Sequence, residues 1–267
     1  MGGVAAAGAE GAEAMFWNPA GLARLDSGAP AELALDYDAL LETSYLGATA
    51  FALPMEHGVW GTGLEYFSQA PLTAYDRVGD PVGSFTPYDM AVSLSYARRL
   101  GSALLGAGVK AVLSKIDDAS GATAAVDLGV EVPHASYFGD GPVDMGAALC
   151  NLGPPIKVGS ASSPLPLDLR GGVLWHASPR VDAGLDLNFP ADADPYAALG
   201  VEYTVKNSGL RYSLRGGYDQ SRGRGIDGLT GISAGGGVDA GKFRIDYAWV
   251  PFGAVGMTHR VALLFRL

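Results

Sequence analysis

The sequence lacks the long apolar run that a membrane-spanning helix needs. Hydrophobic residues make up 48% of the 267 residues, yet no stretch approaches the roughly 18 consecutive apolar residues of a helical span. A helical membrane protein is therefore excluded. No low-complexity linker divides the chain, so we predict one domain that follows a short N-terminal segment.

Cysteine and basic residues are also scarce. The only cysteine, Cys150, has no partner for an internal disulfide and belongs to no thiolate metal site. The chain has 18 basic and 28 acidic residues, whereas binding to phosphates needs clustered Lys and Arg. We therefore expect no nucleic-acid partner. The four histidines lack metal-ligand spacing, and we expect neither a metal nor another cofactor.

Catalytic motifs and a recognisable export signal are absent as well. Gly231 and Gly235 flank Ser233 at the spacing of a nucleophile elbow, but that motif needs a helix directly after the serine. Ser233 lies within a predicted strand, so we predict that the protein is not an enzyme. Met1 is followed by small residues rather than by the basic and apolar regions of a signal peptide. We expect an export signal to have been removed or left out.

What the chain has instead is alternation, which continues from residue 32 to the end. In one clear segment, Leu210 and Leu214 alternate with Arg211 and Arg215. Successive side chains of a strand point to opposite faces, so each such segment has one apolar and one polar face. Segments of about ten residues with this pattern are typical of a closed barrel in lipid, because closure leaves no unpaired strand edge.

The number of alternating segments predicts the fold class. We predict an all-β protein, an antiparallel transmembrane β-barrel of about fourteen strands with a short N-terminal plug segment in the lumen. The predicted strands span residues 32–40, 44–53, 58–67, 87–98, 103–114, 122–132, 142–150, 168–176, 180–189, 196–206, 210–219, 229–239, 242–250 and 258–267.

The connections between these segments alternate between short and long. Arg99–Ser102 is a short link, for example, whereas Ser68–Thr86 and Lys115–Gly121 are long. Bacterial barrels have short periplasmic turns and longer extracellular loops. We therefore predict a location in the bacterial outer membrane with both termini in the periplasm. Two links depart from the pattern, because His134–Gly141 is long for a turn and Ala191–Asp194 is short for a loop.

Aromatic residues lie near the predicted strand ends, as amphipathic rings do at a membrane interface. Their positions predict contact with outer-membrane lipid at both ends of the barrel. The residues concerned are Trp60, Tyr66, Tyr96, Trp175, Phe189, Trp249 and Phe265.

The N-terminal segment shows no alternation and is rich in small residues. Asn18 and Pro19 predict a helix start, because Asn accepts hydrogen bonds from free amides and Pro suits the first helical position. A short helical turn through Leu22 should follow. We divide the chain into a plug, residues 1–30, and a barrel, residues 31–267.

Charged residues on the polar faces are predicted to point into the lumen. Acids gather on the middle strands and arginines on the last four, and such opposed patches could hold the plug, line a solute path or solvate the interior. Anchoring of the plug is the most economical of these three roles. The candidate lumen network consists of Asp127, Glu131, Asp182, Asp186, Arg211, Arg215 and Arg244.

The run Met15–Ala23, which reads MFWNPAGLA and follows an opening Met-Gly-Gly, resembles the plug signature of the FadL superfamily of outer-membrane barrels. More closely, it resembles the PorV/PorQ family. The stretch Asn151–Pro154 with its Pro-rich continuation to Pro166, and the stretch Asp246–Phe252, agree with that family. The resemblance implies a fourteen-stranded barrel whose plug is anchored by Asn18, Pro19, Ala20 and Gly21.

Two functions are implied by this resemblance. A PorV-like protein would act in transport or in type IX secretion, with secreted or periplasmic proteins as partners. The alternative is a FadL-like channel for passive uptake of hydrophobic molecules, such as long-chain fatty acids, which cross through the barrel wall. A lateral opening at a glycine-broken strand would support uptake. The candidate positions for it are Gly106 and Gly108, or Gly235 to Gly237.

Overall fold

The computed structural model describes all 267 residues and contains a closed barrel of fourteen antiparallel strands, which confirms the predicted fold class. Four further strands lie in two loop hairpins. No helix is long and apolar enough to cross a membrane. The strands are β1 (Glu32–Ala39), β2 (Tyr45–Met55), β3 (Gly58–Ser68), β4 (Leu72–Tyr75), β5 (Pro81–Phe85), β6 (Tyr88–Leu100), β7 (Ala103–Ile116), β8 (Ala119–Phe138), β9 (Gly141–Leu152), β10 (Ile156–Val158), β11 (Ala161–Ser163), β12 (Asp168–Ser178), β13 (Val181–Pro190), β14 (Tyr196–Asn207), β15 (Leu210–Asp219), β16 (Ile232–Asp239), β17 (Phe243–Pro251) and β18 (Met257–Arg266).

The barrel closes because β1 pairs with both β2 and β18. Every other barrel strand pairs with the barrel strands that precede and follow it in the chain. The four strands outside the barrel form the hairpins β4–β5 and β10–β11, which the sequence analysis did not predict. The fourteen-strand circle leaves no edge, which is the requirement for a sheet that spans lipid.

The two faces of the strands differ as the alternation predicts. On the outside, Leu185 and Leu214 have 38% and 66% of their surface exposed, while Asp186 and Ser213, which point inwards, are 0% and 6% exposed. Large apolar side chains on the outer surface of every strand would be unfavourable in water but are stable against acyl chains. The outer face is therefore the lipid-facing face of a transmembrane barrel.

The predicted strand boundaries agree with the structure to within three residues, except at the end of β8. β8 continues past Pro133 to Phe138. The strand accommodates the proline in a bulge, in which the three residues 133–135 lie opposite the single residue Asp144 of β9. A proline has no amide hydrogen for the ladder and is accommodated within a sheet at such a bulge. The link predicted as His134–Gly141 is therefore only the two-residue turn 139–140.

The connections fall into two sets at opposite ends of the barrel. The turn side has six turns of two or three residues, and it is also where β1 begins and β18 ends. The loop side has seven connections, of which the longest are 69–87 and 153–167. The prediction of a long loop at Lys115–Gly121 is wrong, because β7 and β8 stay paired up to Ile116 and Ala119.

Aromatic rings form a band at each end of the outer face. Near the loop side, Tyr37, Tyr45, Tyr66 and Tyr88 follow one another across four strands, with ring centroids 5.6–6.2 Å apart. The turn-side pairs are Trp60 with Tyr96, at 4.8 Å, and Phe138 with Trp175, at 5.0 Å. Two such bands mark the two interfaces of a membrane-spanning barrel.

Candidate functional site

The N-terminal segment lies inside the barrel and packs against its wall. It contains two 3₁₀ helices, Ala12–Phe16 and Pro19–Arg24. Met15 and Leu22 are almost fully buried and belong to one apolar cluster with wall residues, including Val59 and Leu104. The main hydrophobic core of the protein is thus the contact between the plug and the wall.

Asn18 begins the second helix and joins three parts of the molecule. Its side-chain oxygen accepts a hydrogen bond from the Ala20 amide at 3.1 Å. Its side-chain nitrogen donates to the carbonyl oxygens of Ala6, at 2.6 Å, and Val130, at 3.3 Å. Because Asn18 is completely buried, loss of these bonds would leave several polar groups without partners.

The other residues of the predicted plug motif, Pro19, Ala20 and Gly21, are also buried. Gly21 packs so closely on the first part of the plug that an added Cβ would overlap the carbonyl of Ala9. The motif therefore lies at the centre of the plug, where its two halves meet.

Two glycines of the wall allow the plug backbone to lie directly on the sheet. A Cβ at Gly106 of β7 would overlap the backbone of Pro19 and Ala20, and a Cβ at Gly129 of β8 would overlap the Asn18 carboxamide. Glycine within a strand often marks such a close approach of another backbone. The wall at β7 and β8 is therefore shaped to fit the Asn18 turn.

Carboxylates of the barrel accept hydrogen bonds from plug amides. The Asp186 carboxylate accepts from Ala5 at 2.7 Å and from Ala6 at 2.8 Å, and Glu32 accepts from Ala12 at 3.1 Å. Asp186 is fully buried, and a buried carboxylate is stable only with donors of this kind. These bonds attach the plug to β13 and β1.

Arg24 attaches the other end of the plug. Its guanidinium lies 2.6 Å from Glu131 and 2.9 Å from Asp144, and it also donates to the carbonyl of Ala7 at 2.8 Å. Burial alone would lower the pKa of Arg24, but the carboxylates of Glu131 and Asp144 outweigh burial and raise it above its usual value. Arg24 therefore stays charged and holds the plug to β8 and β9.

The charged residues of the predicted lumen network do not pair with one another. Among the acids, Asp127 pairs with Lys110 at 2.7 Å and Asp182 with His176 at 2.7 Å, while Glu131 and Asp186 bind the plug. The four acids thus meet none of the three predicted arginines.

Two of the three predicted arginines pair with acids of their own half of the barrel or of the plug. Arg215 pairs with Glu202 and Asp246. Arg244 pairs with Asp246 at 2.7 Å and with Glu13 of the plug at 3.2 Å. Arg211 forms no ion pair. Glu13 is the plug carboxylate that faces this half, and burial raises its pKa above the usual range although Arg244 opposes the shift.

Several residues that hold the plug were missed by the sequence analysis, above all Arg24 and Asp144. Arg24 is the only basic residue among the first 30, and a lone cation in an otherwise small and apolar segment is a signal that could have identified it. Asp144 carries no comparable signal, because its role depends on the bulge in the facing strand.

A polar cavity of about 1040 Å³ lies between the plug and strands β12–β18. Its lining reaches Arg222 and Arg260 towards the loop side and Gly209 and Gly241 at the turn side. The cavity thus extends along the lumen beside the plug. The side chains of the protein form no group of three or more potential metal ligands.

The glycine stretches suggested as lateral openings are continuous sheet, and that suggestion is wrong. Gly106 and Gly108 pair in unbroken register with β6 and β8. Gly235–Gly237 pair in the same way with β15 and β17. Position 106 requires glycine because the plug backbone lies directly against it, not because the wall opens there.

The barrel wall is irregular elsewhere, between β8 and β9. At the first irregularity, Asp127 faces two residues of β9, and its carboxylate accepts from the Asn151 amide at 2.7 Å. The second is the bulge of residues 133–135, where the His134 amide donates to the Asp144 carboxylate at 2.7 Å. Ordinary ladder bonds are missing at this bulge, and side chains that line the cavity lie directly inside it.

The fold and the site define a class, the transmembrane β-barrels with a plugged lumen. Within it, the chain is similar to the toluene transporter TbuX of Ralstonia pickettii, with a TM-score of 0.65, 14% identity, and coverage of 99% of this chain and 97% of that chain. It is also similar to the toluene transporter TodX of Pseudomonas putida, with a TM-score of 0.60, 12% identity, and coverage of 99% and 96%. A TodX mutant described as a monoaromatic hydrocarbon channel has a TM-score of 0.62 at 12% identity, with 98% of each chain covered.

These three structures are named as transporters or channels. No protein-family model and no curated protein matches the sequence. The PorV/PorQ resemblance and the role in type IX secretion gain no support from these comparisons.

Proposed function

We propose that the protein is an outer-membrane transporter for the passive uptake of small hydrophobic molecules, such as monoaromatic hydrocarbons. In this proposal residues 1–30 are the plug and residues 31–267 the barrel. The turn side and both termini face the periplasm, in keeping with the short turns of bacterial barrels. The partners of the barrel are outer-membrane lipid and the hydrophobic solute.

One observation carries the proposal, namely a plugged fourteen-stranded barrel that matches toluene transporters over 99% of this chain. A plug held by buried hydrogen bonds blocks part of the lumen. Asn18, Pro19, Ala20 and Gly21 anchor it in this proposal, because they lie where its two halves meet the wall. A hydrophobic solute does not need an open aqueous lumen, since it can leave through the wall and dissolve in the bilayer.

We place the exit in the wall at the bulge of residues 133–135. These residues lack regular pairing with β9, and the Asp144 side chain bridges the break by accepting a hydrogen bond from the His134 amide. Asp144 is bound on the lumen side by Arg24 of the plug. A movement of the plug would therefore change the bonding of Asp144, which spans the break.

The proposal is tested by uptake of labelled toluene into cells that lack a transporter of their own. Cells that produce the protein should take up toluene faster than cells with the empty vector. The double variant Leu185→Arg, Leu214→Arg carries charges at two lipid-facing positions. It should not insert into the membrane and should show only the background rate of toluene uptake. Equal rates in cells with and without the inserted protein would overturn the proposal.

The exit is tested by a disulfide beside the break. Ser136 and Val143 are directly paired residues of β8 and β9, so Ser136→Cys with Val143→Cys should form a bridge that stiffens this part of the wall. Oxidation should slow toluene uptake and reduction should restore it. The matched control, Leu185→Cys with Leu199→Cys, joins paired residues of β13 and β14. If both disulfides have the same effect, the exit lies elsewhere.

A further inference from the structure

Two basic side chains at the turn-side end of the cavity form no salt bridge. The acid Asp239 faces one of them, Arg211, from β16 but is bound by Arg266. Lys206 of β14 and Arg211 of β15 are directly opposite one another in the sheet, and both line the cavity. Neither forms a salt bridge or a side-chain hydrogen bond. Like charges directly opposite one another destabilise a sheet, so their pairing calls for a role other than stability.

The balance of charge around the cavity is the reverse of that in the chain. Eight basic and six acidic side chains line the cavity, whereas the whole chain has 18 basic and 28 acidic residues. A cleft lined by an excess of one sign, between walls of low dielectric, concentrates the counter-ion. Six of the eight basic side chains form salt bridges, several of them with acids behind the lining, so the unpaired positive charge of the cavity is that of Lys206 and Arg211.

The excess positive charge is located at the mouth. In the middle of the lumen, Arg215 and Arg244 are neutralised by Glu202, Asp246 and Glu13. Lys206 and Arg211 carry unpaired charge where the cavity reaches the turns. Their exposure to solvent keeps both side chains hydrated, so an ion could approach them without losing its water.

We propose that the lumen beside the plug is an aqueous passage for small inorganic anions such as chloride, and that Lys206 and Arg211 select for them. The passage runs from Arg222 and Arg260 to the turn-side mouth, past the open flank of the plug. Its selective mouth at Lys206 and Arg211 lies on β14 and β15, on other strands than the exit between β8 and β9, although Arg24 and His176 of the cavity lining border that bulge. The plug thus restricts the lumen without sealing it to ions.

The test is the conductance of the purified full-length protein in planar lipid bilayers with a KCl gradient. The wild type should conduct, and the sign of its reversal potential should show that chloride permeates better than potassium. The double variant Lys206→Glu, Arg211→Glu should reverse the sign. Arg77→Glu is the matched control, because Arg77 is exposed in the β4–β5 loop and outside the cavity lining. It should retain the selectivity of the wild type.

Either of two results would overturn the proposal. A wild-type barrel that takes up toluene but conducts no ions would show that the plug seals the lumen. A folded double variant that keeps the wild-type selectivity would remove the role of the pair. If the double variant does not fold, as judged by heat-modifiable mobility on gels, Lys206→Gln with Arg211→Gln serves instead and should bring the chloride preference close to zero. Toluene uptake should be unchanged in every folded variant, so this proposal can fail without the uptake proposal.

Discussion

The two halves of the inner wall differ in how they contact the plug. From β3 to β9 the wall presents glycines and small apolar residues, and the plug lies on it without space for water, as at Gly63 against Phe16 and Gly129 against Asn18. From β14 to β18 it presents arginines and carboxylates that line a cavity. The first half provides the seat of the plug, and the second keeps hydrated space beside it.

The difference lies in what the plug offers to each half. Towards the seat it offers backbone amides, carbonyls, apolar side chains and the Arg24 guanidinium, which need close contact and buried partners. Towards the cavity it offers Glu10 and Glu13, which remain near basic side chains. Substitutions on the seat side should therefore release the plug from the wall, whereas substitutions on the cavity side should weaken its attachment much less.

The largest effect is expected from Arg24→Gln. This change leaves the buried carboxylates of Glu131 and Asp144 without their cation, and breaking a buried ion pair costs about 3–5 kcal/mol. Hydrogen exchange followed by mass spectrometry should show the protection of the plug amides reduced by about two orders of magnitude or more. Arg98→Gln, at an exposed position on the turn side, should leave protection unchanged. Retained protection in Arg24→Gln would mean that the ion pairs do not hold the plug.

The next largest effect should come from Gly129→Leu. The new side chain would occupy the space of the Asn18 carboxamide and Pro19, and overpacking of a dense core costs about 1–3 kcal/mol. We expect the plug to lift from β8 and cells to become permeable to a polar dye. Gly216→Leu is the matched control, because Gly216 has no neighbour within 4 Å on the lipid side. Equal dye entry in both variants would show that the contact at Gly129 is unimportant.

A smaller effect is expected from Asn18→Ala. The substitution removes a helix cap and two bonds to carbonyl oxygens, and loss of a buried cap costs about 1–2 kcal/mol. Exchange protection at Ala20 should fall by about tenfold while the barrel strands stay protected. Asn207→Ala, at an exposed turn position, is the control. A change confined to the strands would contradict the anchoring role of Asn18.

The smallest effect is a dependence on pH that comes from the cavity side. Burial raises the pKa of Glu13 above 4.5, so the seated plug binds a proton more tightly than the released plug does. Seating should therefore weaken as the pH rises from 4.5 through the raised value. Exchange protection, corrected for the intrinsic rate, should decline with pH in the wild type and less steeply in Glu13→Gln. Identical slopes would show that Glu13 is not involved.

The strands were predictable because one physical rule, apolar outside and polar inside, acts on every residue of the barrel. The rule fails where a local feature interrupts it. Pro133 interrupts the sequence pattern of β8, so the continuation of this strand was not predicted. The strands of the β4–β5 and β10–β11 hairpins have no lipid-facing side and therefore show no alternation. The loop predicted at Lys115–Gly121 is only the turn Asp117–Asp118, because the residues on either side of this turn remain paired between β7 and β8.

The candidate site was predictable in its parts but not in its pairings. Alternation predicts that the side chains of Asp186 and Arg215 point into the lumen. The residues with which they pair depend on where the plug lies and on how the strands are staggered around the barrel. Asn18 could be found because a cap precedes a proline at a recognisable spacing. The pairing of Arg24 with Asp144 could not, since it joins residues 120 positions apart across a bulge.

The carboxylates that hold the plug also impose an order on assembly. Glu32, Glu131, Asp144 and Asp186 belong to strands distributed along most of the chain, and all of them come after the plug in synthesis and export. The plug amides of Ala5 and Ala6 can therefore reach their carboxylate acceptor only after β13 has joined the sheet. A chain truncated before β13 would lose the acceptor for Ala5 and Ala6.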